Sequence, residues 1–62
     1  MNKVIATYKL NVSGKYVELD LVKKSNNKWD IFEFNEDDSS TTEFESYTTA
    51  YNALVEKITN LR

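Results

Sequence analysis

From Val4 onward the chain changes character at every step: Val4, Ala6, Tyr8, Leu10 and Val12 alternate with Ile5, Thr7, Lys9 and Asn11. A period of two is that of a strand with one buried face, and a helix cannot use it, so a first strand is predicted here. The alternation halts at Ser13-Gly14, which holds the only glycine of the 62 residues. It resumes from Lys15 to Lys24, with Val17, Leu19 and Leu21 on one side and Tyr16, Glu18, Asp20 and Val22 on the other. A two-residue hairpin turn needs a positive φ, which glycine adopts without steric cost. The two stretches are therefore expected to pair as consecutive antiparallel strands.

Ser25-Asn26-Asn27 is a polar break whose asparagines tolerate the left-handed conformation, so it predicts a second hairpin turn. A third strand follows from Lys28 to about Asn35, with Trp29 and Ile31 on one face and Phe32 and Phe34 on the opposite one. Either a bulge near Ile31 re-aims the second pair inward, or the sheet carries aromatics on both faces. After the acidic turn from Glu36 to Ser40 the apolar spacing lengthens. Phe44, Tyr47, Tyr51, Leu54, Ile58 and Leu61, with Ala50 beside them, recur at steps of three and four, which is the stripe of an amphipathic helix. Ser46 is the favoured N-cap, although Thr42 and Glu45 also fit a capping box. Thr41 to Glu45 is then a loop or a short fourth strand.

The expected fold is α+β, a single domain over 1–62: an antiparallel β-meander of three strands, or four, with one C-terminal amphipathic helix packed on one face. Its predicted core is Val4, Ala6, Tyr8, Leu10, Val17, Leu19, Leu21, Trp29 and Ile31 against Tyr47, Tyr51, Leu54, Ile58 and Leu61. A chain this short hides only about 60% of its unfolded surface, so two layers are the ceiling. There is no cysteine for a disulfide or thiolate ligand and no histidine. Stability must come from apolar packing or from a partner subunit.

Charge is segregated beneath a net −2. Residues 1–28 hold Lys3, Lys9, Lys15, Lys23, Lys24 and Lys28 against Glu18 and Asp20; residues 29–62 hold the other eight carboxylates against Lys57 and Arg62. In a three-stranded meander Lys3, Lys23, Lys24 and Lys28 gather at one end, and Glu36, Asp37 and Asp38 mark the other. A helix starting at the acidic end would bring Lys57 and Arg62 to the basic one, and its macrodipole would be complemented at both termini. A fourth strand would reverse the helix and partly cancel the two poles.

No signal peptide or membrane span is read from the residues after Met1, so a cytoplasmic location is expected and the Asn11-Val12-Ser13 sequon is taken as chance. Seven lysines to one arginine, with seven asparagines, suggest an AT-rich coding sequence such as that of a low-GC bacterium or its phage. The acids Asp37, Asp38, Glu43 and Glu45 lack the ligand spacing and glycine of an EF-hand loop, so no metal is expected. Serines and threonines between 39 and 49 have no histidine to activate them, so no enzyme and no cofactor are expected either. Three strands and a helix are similar in outline to the arm-binding domains at the N-termini of phage integrases. Those domains use basic strands, whereas this sheet is largely acidic, and no DNA-binding residue carries over.

The face away from the helix is expected to hold Ile5, Thr7, Lys9, Tyr16, Glu18, Asp20, Val22 and Asp30, with Phe32 and Phe34 if no bulge intervenes. Exposed aromatics on a sheet can stack on bases, but Glu18, Asp20, Asp30 and Glu36 oppose phosphate. They suit a basic protein surface better. The expected function is a small non-enzymatic protein-binding module, an accessory protein of a phage or mobile element that inhibits or regulates a larger host protein with a basic surface. Tyr16, Phe32 and Phe34 would anchor, and Asp30, Glu36, Asp37, Asp38 and Glu43 would complement or steer. The second reading is nucleic-acid binding through Lys3, Lys23, Lys24, Lys28, Lys57 and Arg62. The third is a small structural or assembly subunit. A monomer or weak homodimer is expected.

Overall fold

The computed structural model describes residues 2–61. Four strands precede one helix: β1 (Lys3–Val12), β2 (Lys15–Ser25), β3 (Lys28–Asn35), β4 (Ser39–Phe44) and α1 (Tyr47–Leu61). They form one sheet in the order β1-β2-β3-β4 with every neighbouring pair antiparallel. The α+β meander thus has four strands, and the stretch that the sequence leaves as loop or strand pairs with β3 as an edge strand.

Each turn has its own device. Ser13 and Gly14 have φ of 54° and 81°, the pair of positive values that a type I′ hairpin requires. A Cβ added to Gly14 would meet nothing within 4 Å, so glycine serves the backbone angle there and not the space. The Asn26-Asn27 turn differs from expectation: neither asparagine has a positive φ. The register instead shifts between Lys23 and Ser25, and this bulge at Lys24 supplies the bend. The third turn is held by Asn35, whose Oδ1 accepts from the N–H groups of Asp37 (2.8 Å) and Asp38 (2.9 Å). The Asn35 N–H donates back to the Asp38 carbonyl at 2.9 Å.

Residues paired across antiparallel strands share a face. Leu21 is therefore on the same side as Ala6 and Ile31, and Leu19 on the same side as Tyr8 and Glu33. The buried core is Val17, Leu19, Leu21, Trp29 and Ile31 under Ala50 and Leu54. Ala6, Leu10, Phe44, Ala53, Ile58 and Leu61 pack around it. Four expected core residues are exposed: Val4, Tyr8, Tyr47 and Tyr51. Val4 is overturned by a bulge, because the register shift between Val4 and Ala6 leaves Ile5 unpaired and sets Val4 beside Val22 on the far face. The three tyrosines are exposed because one helix is too narrow to cover four strands. α1 contacts β2, β3 and β4, and part of the inner face of β1 lies beyond it.

α1 begins where expected, with Ser46 Oγ accepting from the Thr49 N–H at 3.2 Å. Its direction follows from β4. Phe44 pairs with Trp29, and the Tyr47 ring lies 5.1 Å from the Trp29 ring. Ten residues later Lys57 Nζ meets Glu33 Oε1 at 3.2 Å. The helix therefore runs from the basic end toward the acidic turn, reversed relative to the three-stranded expectation. There is no acidic residue in its first turn and no basic residue in its last, so the expected complement to the macrodipole is not realised.

Candidate functional site

Of the two readings open for β3 the structure has aromatics on both faces and no bulge near Ile31, since β2 and β3 stay in register from Val17–Asn35 through Lys23–Trp29. Phe32 and Phe34 therefore lie on the face away from α1, where both are half-buried. They do not stand alone. Phe32 and Phe34 rings are 5.4 Å apart, and Phe34 and Tyr16 rings 6.3 Å, within the range of favourable tilted aromatic pairs. Three anchors from two strands thus form one row across a sheet face that no element covers.

The row ends at the acidic turn. Phe32, Phe34, Asn35, Glu36, Asp37, Asp38 and Ser39 line a shallow, solvent-open depression of about 570 Å³. The Asn35 hydrogen bonds hold the Asp37 and Asp38 backbone beside Phe34, so these carboxylates sit on a fixed turn. Lys15 Nζ approaches Asp37 Oδ2 only to 3.8 Å, and both side chains are exposed. That pairing is worth little in water, and the turn's negative charge stays available.

Glu18 and Asp20 flank the row on β2. Glu18 lies opposite Phe34 and Asp20 opposite Phe32. Glu18 Oε1 accepts from the Tyr16 hydroxyl at 2.6 Å. This hydrogen bond first, then desolvation, then the charges of Glu18 and Asp20 raise the phenol above its ordinary value. Asp20 Oδ1 and Asp30 Oδ1 are both buried without a hydrogen-bond partner. An unpaired polar atom of this kind costs about 1–3 kcal/mol. Asp30 is relieved on its other oxygen by Lys24 Nζ at 3.5 Å. Asp20 is the residue that sequence reasoning placed on the face without singling out. Its place opposite Phe32 depends on the β2–β3 register, which alternation alone does not give.

The structure divides the expected site. Tyr16, Phe32, Phe34, Glu36, Asp37 and Asp38 converge at one end of the open face. Asp30 and Glu43 face each other across β3 and β4 nearer the other end. There Glu43 lines a second shallow depression of about 510 Å³ with Asn27, Lys28 and Glu45. Ile5, expected on this face, is the bulge residue.

Lys3, Lys23, Lys24 and Lys28 gather at one end of the sheet as expected, but on both of its faces. Lys3 pairs with Lys23 in register, and Lys23 Nζ lies 5.6 Å from the Trp29 ring centroid on the helix side. Lys24 is held by Asp30 on the other face, and Lys57 is held by Glu33 toward the opposite end. Arg62 lies outside the described residues. Among the described residues no group of three or more carboxylates is placed to hold a metal ion, and no helix is long and apolar enough to cross a membrane. No protein-family model, curated protein or solved structure matches this chain.

Proposed function

We propose that this protein is a small non-enzymatic protein-binding module that docks the open face of its sheet on a basic surface of a larger protein. One observation carries the reading: the aromatic row of Phe32, Phe34 and Tyr16 is uncovered and ends at the carboxylates of Glu36, Asp37 and Asp38. Aromatic side chains provide anchors, and charges around them steer the encounter and select the partner's sign. Asp20 and Asp30 support it, because a carboxylate half-buried without full pairing lowers stability and gains a partner when a basic group docks on this face. The role that fits is an accessory factor, of the sort a phage or mobile element carries, that inhibits or regulates its target by covering a basic surface.

The basic pole is a weaker basis for nucleic-acid binding. Its lysines divide between two faces, Lys57 lies away from the other four, and three of the five already have a partner: an aromatic ring at Lys23 and carboxylates at Lys24 and Lys57.

Amide chemical-shift mapping with a short arginine- and lysine-rich peptide at moderate salt tests the reading. Shifts should centre on Tyr16, Phe32, Phe34 and the Asn35–Asp38 turn, and should be weakened at least tenfold in affinity by Phe34→Ala. Changing Glu36, Asp37, Asp38 and Glu43 to their amides should slow association and flatten its salt dependence. Shifts confined to α1, or binding indifferent to Phe34, would remove the open face as the site. A mobility shift with DNA or RNA at low salt would favour the basic residues instead.

A further inference from the structure

A second surface stands apart from the open face, and it lies along β1. β1 is an edge strand of 10 residues, paired on one side only. Its inner face is only partly covered: Ala6 and Leu10 pack against the core, but Tyr8 is 38% exposed although it shares a face with the buried Leu19. At about 100° per residue, Tyr47, Tyr51, Val55 and Ile58 fall along one flank of α1, and Ala53 and Lys57 along the other. α1 runs in the direction of β3, and the handedness of strand and helix turns the Tyr51 flank toward β1. Tyr47, Tyr51 and Val55 are each more than 40% exposed there. Of the seven large apolar side chains left exposed, six lie on β1 or on this flank.

We propose that the occupant is a second copy of this chain, paired antiparallel along β1 about a two-fold axis at Tyr8. Self-pairing requires a strand that matches its own reverse. Around Tyr8 it does so: Ala6 faces the second copy's Leu10, small against large, and Thr7 faces its Lys9. No lysine opposes a lysine in this register, whereas an axis at Lys9 would set two ammonium groups together. The bulge at Ile5 ends the pairing segment, so Ala6–Leu10 of one copy pairs with Ala6–Leu10 of the other. The strip also contains no carboxylate, so it does not compete for the basic partner assigned to the open face.

Size sets the strength. The five paired residues span about 17 Å, and the distance from the β1 edge to the helix is about two strand spacings, or roughly 10 Å. An interface of that extent is smaller than those of stable complexes, so a weak, transient dimer that forms only at high protein concentration is expected. The product is a continuous eight-stranded sheet with both helices on one side, and it sets two aromatic rows on one uninterrupted open face. A dimer of this kind would engage a target through two linked sites.

Sedimentation velocity over a concentration series, with amide exchange of β1 measured in parallel, tests this. The chain should move from monomer to dimer as concentration rises, and β1 amides should become protected over the same range. Tyr8→Lys, which places two lysines together at the axis, and Tyr51→Lys, which charges the flank, should each weaken the dimer by about tenfold or more. Both positions are exposed, and circular dichroism checks that each variant is folded. If one fails to fold, the other and the wild-type exchange data still decide. Phe34→Ala should leave the dimer intact, which separates this surface from the open face. A chain that stays monomeric with β1 unprotected, or a dimer lost in Phe34→Ala but not in Tyr8→Lys, overturns the proposal.

Discussion

The two faces of the sheet are drawn from the same strands by taking alternate residues, yet they treat their carboxylates in opposite ways. On the inner face Glu33 is the one acid of the strands, and Lys57 reaches it from α1 at 3.2 Å. On the outer face Glu18, Asp20, Asp30 and Glu43 are spread along three strands, and two of them bury an oxygen with no partner. Aromatics follow the same division. Trp29 is buried under α1 and packed edge-on by Tyr47, while Phe32 and Phe34 pack on each other and stay half-exposed. Under α1 the inner face is closed by packing and its one carboxylate is paired within the chain. The outer face is left incomplete, and incompleteness of that kind is what a partner can complete.

The largest effect should be on the inner face. Leu54→Ala removes a side chain that is 1% exposed and should cost about 2–5 kcal/mol, enough to unfold much of a domain of this size in a denaturant titration. Phe34→Ala should cost only about 1 kcal/mol, because half of its transfer free energy was never gained. Equal losses at the two sites would erase the distinction between the faces.

Asp20→Asn sharpens the contrast with an effect of opposite sign. Removing a charge whose oxygen is buried and unpartnered should raise stability by about 1 kcal/mol while weakening the basic peptide. A loss of stability would mean that Asp20 has a structural partner after all. On the inner face Lys57→Ala should lower stability by no more than about 1 kcal/mol, since both side chains of the pair keep contact with water. A larger loss would mark Glu33 as effectively buried.

The smallest effect is a titration. Tyr16 should ionise above the ordinary tyrosine range when followed by ultraviolet absorbance, and Glu18→Gln should lower that midpoint by removing the accepting charge. Because the folded-state value is raised above the unfolded one, its contribution to stability is fully present below about pH 10 and is lost as pH rises through the folded value. A midpoint unchanged by Glu18→Gln would detach Tyr16 from its acidic neighbour.

Much of this was legible in the residues. Ser13-Gly14 announced its turn because a positive φ has few sequence solutions, and Ser46 announced the helix start because an N-cap needs a short side-chain acceptor. Leu19, Leu21, Ile31 and Leu54 could be assigned to the core from periodicity alone. Val4 could not, since the alternation is blind to the bulge at Ile5 that shifts everything before it. Phe32 and Phe34 were ambiguous for the same reason, because a bulge and a two-sided sheet produce one and the same spacing. β4 was hidden in a run of serines and threonines that carries no apolar alternation, and its pairing is decided by the open edge of β3.

Local chemistry is short-ranged, and the chain by itself determined what depends on it: where each strand turns, which residues alternate, where the helix is capped. Tertiary structure alone decided whether β4 joins the sheet, and through it the direction of α1, the pairing of Lys57 with Glu33 and the separation of Lys57 from the other lysines. The physical reason is that register and coverage depend on contacts between residues far apart in sequence. One added strand reverses every element after it, and one helix can shield only part of four strands, so the uncovered remainder is a property of the assembled fold.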